Sequence, residues 1–332
     1  MRARLLVAAV GTVSLLAVAS PLSARDAEVG AWRIWRSTRG VVDIAGPRSD
    51  GRFVVAARGR LFLLRLRTGG LSPYPSAGRR YAANPKLEPY IAVADAQQAA
   101  GGCSFPRGTV YAIQPAGAAG IFSVSPGGRV RRFAEIRGVK TLNGIVFDTV
   151  GRFGRKLLVV GLTADAQGVV IAVDCRGQTR TLTRSAPHLE GGLAVAPAGF
   201  GAFGGDLIVP DEVDGRLLAV SPDGSVRDIA DPGQPAGGDI GVESLGFVPS
   251  ANADAYLADR LTPGNANPGH DAILQISADA LRSAGVAPGD LLAALEGGAT
   301  TIRVRCAATC NVSEVATGPA GAHAEGSIGF AP

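Results

Sequence analysis

The chain has 332 residues, of which 46% are hydrophobic, and a formal charge of +5 at neutral pH. That is ample for the core of one large domain or two smaller ones, and too weakly basic overall to mark a nucleic-acid binder. Forty-six glycines beside only 5% aromatics point to many tight turns.

Taken in chain order, Arg2 and Arg4 precede an apolar stretch from Leu5 to Val18, followed by small residues and Pro21. A charged, an apolar and a small-residue region in that order read as a secretory signal peptide. Cleavage after Ala24 divides the chain into a leader, 1–24, and a single domain, 25–332. No later apolar run is long enough to span a bilayer. The expectation is an exported monomer, extracellular or periplasmic. Next comes a basic region, with twelve Arg or Lys residues between Trp32 and Lys86 against two acids, Asp43 and Asp50. It reads either as an anion-binding face or as solvated strand edges.

From there to the C-terminus, short strand-like runs alternate with Gly, Pro, Asp and Asn turn signals. Six runs read as second strands: Phe53–Ala57, Tyr90–Asp95, Leu157–Gly161, Leu207–Asp211, Tyr256–Arg260 and Leu291–Glu296. Each is followed by a third strand, from Arg60, Ile121, Val169, Arg216, Ala272 and Thr301 respectively. A phrase recurs before several of them: LNGIVFD from Leu142, LEGGLAVAP from Leu189, VESLGFVP from Val242 and AEGSIGFAP from Ala324. It is an Asn or Glu, one or two small residues, then a buried run, and its repetition is the signature of a propeller.

The fold class is therefore all-β: a six-bladed β-propeller of four-stranded antiparallel blades, with the C-terminal strand closing the ring. The inner strand of the second blade must fall within Gly78–Leu87, and the blade of Leu291 lacks one. Asp279–Gly285 alone has helical periodicity and reads as an inserted excursion. Cys306 and Cys310 can bridge within a turn. Cys103 and Cys175 fall at opposite ends of their blades in this register, which argues against a bond between them.

In a meander, residues just before strand one and just after strand two share a face. That brings Asn143, Glu190, Glu243 and Glu325 together at the channel mouth, with Asp95, Asp211, Glu212, Asp259, Arg260 and Glu296 around them. The loops Ala96–Arg107 and Leu261–Asp271 should overhang the same face. Oxygen ligands converging from separate blades suit a divalent cation, calcium above all. Glu190, Glu325 and Asn143 are the first ligand candidates, then Glu243 and Glu296. Alternatively, such residues cap backbone groups around the ring. His323, two residues before Glu325, and His270, in the overhanging loop, are the candidate general bases.

On LNGIVFD, EGGLAVAP, GDLIVPD, RLLAVSPDGSV and EGSIGFAP, spanning Val41 to Pro332, the chain resembles secreted propellers of the NHL-repeat and gluconolactonase/regucalcin-like group. The resemblance implies a channel cation held by Glu, Asn and Asp, with hydrolysis of a lactone or related ester as the activity. Asn143 is similar to the group's Asn-Gly before an inner strand, and Glu190 or Glu325 to its Glu-Gly. The group's Asp in a Ser-Pro-Asp-Asn phrase has no counterpart, because Ser221-Pro222-Asp223-Gly224 lies at the other end of its blade. The alternative function is a non-catalytic module that binds an envelope or extracellular protein partner.

Overall fold

The computed structural model describes residues 29–74, 81–83, 87–94, 99–100, 102–114, 119–230 and 233–332. The leader, 1–24, and Asp95 lie outside the described residues. Six blades of four antiparallel strands stand around a central channel, each contacting the next through its inner strand, and the short strand Gly30–Ala31 adds in parallel to the outer edge of one. The all-β, six-bladed expectation holds.

Blades 1 to 4 are plain meanders. Blade 1 comprises Val41–Ala45, Arg52–Ala57, Arg60–Arg65 and Gly70–Tyr74. Blade 2 comprises Ile91–Val93, Val110–Gln114, Gly120–Val124 and Val130–Glu135. Blade 3 comprises Thr141–Phe147, Leu157–Leu162, Gly168–Val173 and Thr179–Ala186. Blade 4 comprises Ala194–Val195, Leu207–Asp211, Arg216–Val220 and Val226–Ala230. Strands buried on both faces read as continuous apolar runs, which is why LLVV, LIV and LLAV stand out in the sequence. Between blades 2 and 3, the rings of Phe105, Tyr111, Phe133 and Phe147 meet edge to face at 4.8–5.5 Å, with Phe105 and Phe133 tilted at 6.0 Å. Burying each contributes on the order of 2–3 kcal/mol.

Blades 5 and 6 are interleaved. The inner strand of blade 5, Val242–Phe247, pairs with Leu291–Leu295, not with the run that follows it in sequence. Asp254–Asp259 and Ala272–Ile276 belong to blade 6, where Asp254–Asp259 pairs with the C-terminal strand Ala324–Ala331 on its inner side and with Ala272–Ile276 on its outer side. The N-terminal strand Arg33–Ser37 forms the outer edge of blade 6. After blade 6's third strand, a helix over Ala278–Ser283, capped by the Ser277 hydroxyl accepting from the Ala280 N–H, carries the chain back to blade 5. Thr301–Cys306 and Cys310–Thr317 then complete blade 5. Both chain ends therefore close the ring within one blade, and the sequential pairing of VESLGFVP with DAYLADR is corrected.

Blade 2 needs a second correction. Its inner strand is Ile91–Val93, so the run from Tyr90 is not a second strand, and Gly78–Leu87 does not supply the first. Consequently residues 103–109 lead into strand two at the end opposite the mouth, so the described part of the loop Ala96–Arg107 does not overhang the mouth as expected. The turn after blade 3's third strand lies at that same end. Cys103 and Cys175 thus meet as a disulfide, with Cα atoms 5.9 Å apart. Cys306 and Cys310 form the second bond as expected.

Asp43 ties the ring together at depth. Its carboxylate accepts the backbone N–H groups of Ile44, Ile91 and Ser327, each at 2.8 Å, linking blades 1, 2 and 6. Burial lifts its pKa to about 7 despite those three donors. Toward the opposite end the channel turns apolar. Ile44, Ile91, Ile145, Val195, Leu245 and Ile328 line a vestibule of about 500 Å³ there.

Candidate functional site: an acidic channel mouth

Irregularities at the mouth end of the inner strands aim side chains into the channel. In blade 3 the pairing skips from Leu142 to Gly144, leaving Asn143 as the extra residue of a bulge. In blade 5 it skips from Val242 to Ser244, and the extra residue is Glu243. A bulge turns its unpaired residue out of the ladder, here toward the axis. Gly191, with φ of +88°, lets blade 4's entry pass against Glu243: a Cβ there would stand 2.3 Å from the Glu243 Oε2.

The resulting pocket, about 190 Å³, is lined by Glu88, Tyr90, Glu190, Glu212, Gly238, Asp239, Glu243, Glu296 and Glu325. Seven acids from blades 2, 4, 5 and 6 and their connections thus share one small mouth. Five acids expected there, Glu190, Glu212, Glu243, Glu296 and Glu325, are brought together, and Asn143 approaches Glu190 from blade 3 closely enough to favour its charged form.

Three lining acids were not among the expected ligands. Glu212 follows blade 4's second strand, Asp239 lies on the connection from blade 4 to blade 5, and Glu88 precedes blade 2's inner strand. The signal for Glu88 is in the sequence: LEPYIAVA from Leu87 repeats LEGGLAVA from Leu189 residue for residue, apart from Pro89-Tyr90 for Gly-Gly and Ile91 for Leu.

Two kinds of carboxylate occupy this end of the barrel. Asp43, Asp211 and Asp259 accept backbone N–H groups, and Asp211 also meets Arg216 at 2.8 Å. These are the structural caps. Among the described residues, Glu88, Glu190, Glu243, Glu296 and Glu325 accept none and meet only side chains. The Tyr90 hydroxyl lies 2.8 Å from Glu243 Oε1 and 2.9 Å from Glu325 Oε2. Arg260 Nη1 donates to Glu325 Oε1 at 2.8 Å and to Glu88. His323 Nε2 stands 2.8 Å from Glu296 Oε1 and 3.7 Å from Glu325 Oε1. Glu212 is intermediate, accepting the Asp239 N–H while hydrogen-bonded to Glu296. Oε2 of Glu243 is buried with no partner at all.

The electrostatics follow from this crowding. Burial, then the neighbouring acids, lifts Glu190 to about 8. Glu212 reaches about 10 through burial and its bond to Glu296, and Glu243 is held well above the ordinary carboxylate value by burial and Glu325. Repulsion from Glu325, then burial, lifts Glu88 to about 7 although Arg260 opposes it. Glu325 is the exception: burial would raise it, but His323 and Arg260 pull it below the usual value. Burial also opposes a charge on His323, yet Glu296 and Glu325 outweigh it and hold that ring up at about 10.

His270 stands in its expected loop but does not line the pocket. Its Nδ1 lies 2.7 Å from Oδ2 of the buried Asp259, whose Oδ1 accepts the backbone N–H of His270 and of His323. The two candidate bases are therefore joined through one carboxylate.

The fold and site together define a six-bladed β-propeller with an acidic, cation-poor channel mouth. No protein-family model matches the sequence, and no curated protein matches it. Among solved structures it is similar to virginiamycin B lyase from Staphylococcus aureus, at 13% identity over 88% of this chain and 72% of that one, TM-score 0.46. It is also similar to regucalcin, a calcium-binding protein from Agrobacterium tumefaciens, at 15% identity over 71% of this chain and 74% of that one, TM-score 0.40. No helix among the described residues is long and apolar enough to cross a membrane.

Proposed function

We propose that this is an exported propeller that binds a divalent cation, calcium by its donor chemistry, at the channel mouth, and opens a lactone or related ester there. The observation that carries the reading is Glu243, buried with one carboxylate oxygen unpartnered in a pocket of seven acids. A buried carboxylate with no donor costs several kcal/mol unless a cation or a proton meets it. Glu190, Glu243 and Glu296 would hold the ion, with Glu212 and the Asn143 carbonyl completing an all-oxygen set of the kind calcium takes. Glu325, already paired with Arg260 and Tyr90, would close the second layer. When bound, such an ion polarises a carbonyl oxygen and stabilises the charge that develops on it.

The histidines divide the proton work. His323, held protonated between Glu296 and Glu325, is suited to donate a proton or balance charge. His270 is suited to accept one. Asp259 fixes the proton on Nδ1 and leaves Nε2 as the basic nitrogen. Its loop reaches the rim, where Asn267 packs against Gly297 beside Glu296. Export is supported by the leader-like N-terminus and by two disulfides.

The test is calorimetric titration of calcium into chelator-treated protein, on the wild type and Glu190→Gln, followed by a lactone and ester screen with His270→Asn as control. Calcium heat lost in Glu190→Gln, with turnover lost in His270→Asn, is the expected result. No calcium heat and no thermal shift in the wild type would sink the reading and leave a protein partner as the function to seek.

A further inference from the structure

The mouth holds more acid than one divalent ion and its local cations offset. Arg260 meets Glu88 and Glu325, and His323 meets Glu296. Among the described residues, Glu243, Glu212 and Asp239 have no cationic partner, and Glu190 meets only the His188 ring. Among the described residues, that ring's Nδ1 has no partner and its Nε2 meets only Glu190.

His188 and Glu190 lie two residues apart on the entry to blade 4, with fully buried Leu189 between them as the anchor. Their side chains meet on one side of that segment. His188 Nε2 stands 3.4 Å from Glu190 Oε2, and His188 Nδ1 is buried without a partner. A spacing of 3.4 Å is long for a charged hydrogen bond. It is about the distance, roughly 3.3 Å, between two donors on one tetrahedral zinc ion. Glu212, from the end of blade 4's second strand, brings a carboxylate oxygen within 4.8 Å of both. Independently, the unpartnered Oε2 of Glu243, a side chain only 2% exposed, lines the same pocket against Gly191. Asp239, Glu296 and His323 also lie together, but the His323 Nε2 is taken by Glu296 at 2.8 Å.

We propose that His188, Glu190 and Glu212 form a second cation site at the rim of the mouth, built on blade 4 alone and selective for a borderline transition ion of the zinc class. One imidazole and two carboxylates leave a coordination position open, the donor set of a catalytic rather than a structural zinc site. Calcium takes oxygen almost exclusively, so the two sites differ in preference even though Glu190 and Glu212 stand between them and His188 belongs to the second alone. The inference rests on the mouth being a cation site. It adds that two ions of different chemistry sit there side by side.

The test uses zinc by calorimetry and cobalt(II) by visible absorption on chelator-treated full protein, comparing wild type, His188→Ala and Glu212→Gln, with calcium titrated into the same samples. The expected result is a wild-type cobalt spectrum with a nitrogen ligand, and zinc affinity falling at least about tenfold in both variants. Calcium affinity should stay within about twofold in His188→Ala. Equal zinc affinity in wild type and His188→Ala, or no zinc binding at all, overturns the rim site. Absence of calcium heat in wild type bears on the oxygen site alone, so the two failures are separable. Should His188→Ala melt abnormally without metal, His188→Asn and Glu212→Gln carry the test.

Discussion

Glu243→Gln separates a ligand from a structural cap, because the two roles predict opposite signs. The substitution keeps shape and one acceptor oxygen for the Tyr90 hydroxyl, and removes the ionisable group. The Glu243 and Glu325 oxygens that share that hydroxyl, at 2.8 and 2.9 Å from it, lie within about 6 Å of each other. At an effective dielectric of about 20, two full charges there repel by about 3 kcal/mol. Where both groups are ionised, the metal-free variant should therefore melt several degrees higher than wild type, at roughly 2 °C per kcal/mol for a domain of this size. With calcium the order reverses. Wild type at one hundred times its Kd gains about 2.7 kcal/mol, or about 5 °C, and Glu243→Gln should gain under a third of that. Differential scanning fluorimetry at two calcium concentrations reads both effects. A variant that melts lower than wild type without calcium, and shifts as much with it, would show that Glu243 supports the ring and refute the reasoning.

Calcium affinity should rise with pH. The proton on Glu190, whose value lies at about 8, must leave before that carboxylate can face an ion. Metal-free stability should run the other way. Carboxyl groups raised in the folded state contribute stability that is full below their unfolded value and lost as pH climbs through 7 to 8. The calcium-induced melting shift should therefore widen between about pH 6 and about pH 8.5, and a flat profile across that window would count against both statements. The disulfides should differ in weight: Cys103–Cys175 closes 72 positions and Cys306–Cys310 closes 4. Loop entropy assigns them about 4 and about 2 kcal/mol. Cys103→Ser should thus lower the melting temperature about twice as far as Cys306→Ser, and equal losses would show that loop length does not govern them.

What the sequence made legible was local. Each apolar run is a strand because burial on both faces is written into consecutive residues, and Asn143, Glu190, Glu243 and Glu325 share a mouth because each stands one step before such a run. Glu88 escaped because Pro89-Tyr90 replaces the Gly-Gly that marks its counterpart, so Tyr90 was counted into a second strand. That one-strand slip also moved Cys103 to the wrong end of blade 2. The exchange between blades 5 and 6 was illegible for another reason. DAYLAD carries the burial pattern of a second strand, but nothing in six residues says which inner strand, Val242–Phe247 or Ala324–Ala331, will lie beside it. Partner choice is a long-range property, set when both inner strands compete for the same edge.

That exchange limits how this ring can vary. A propeller of self-contained meanders offers each blade as a contiguous cassette, which can be copied, lost or grafted without disturbing the rest. Here no cut between Val242 and Ala331 releases a whole blade. Excising Leu291–Thr317 strands an inner strand in blade 5, and excising Asp254–Ile276 strands the C-terminal one. The acids contributed by that stretch, Glu243, Glu296 and Glu325, with Arg260 and His323, are consequently inherited as a block. Blade 4's half of the mouth, His188, Glu190 and Glu212, sits on a separable cassette that can be exchanged alone.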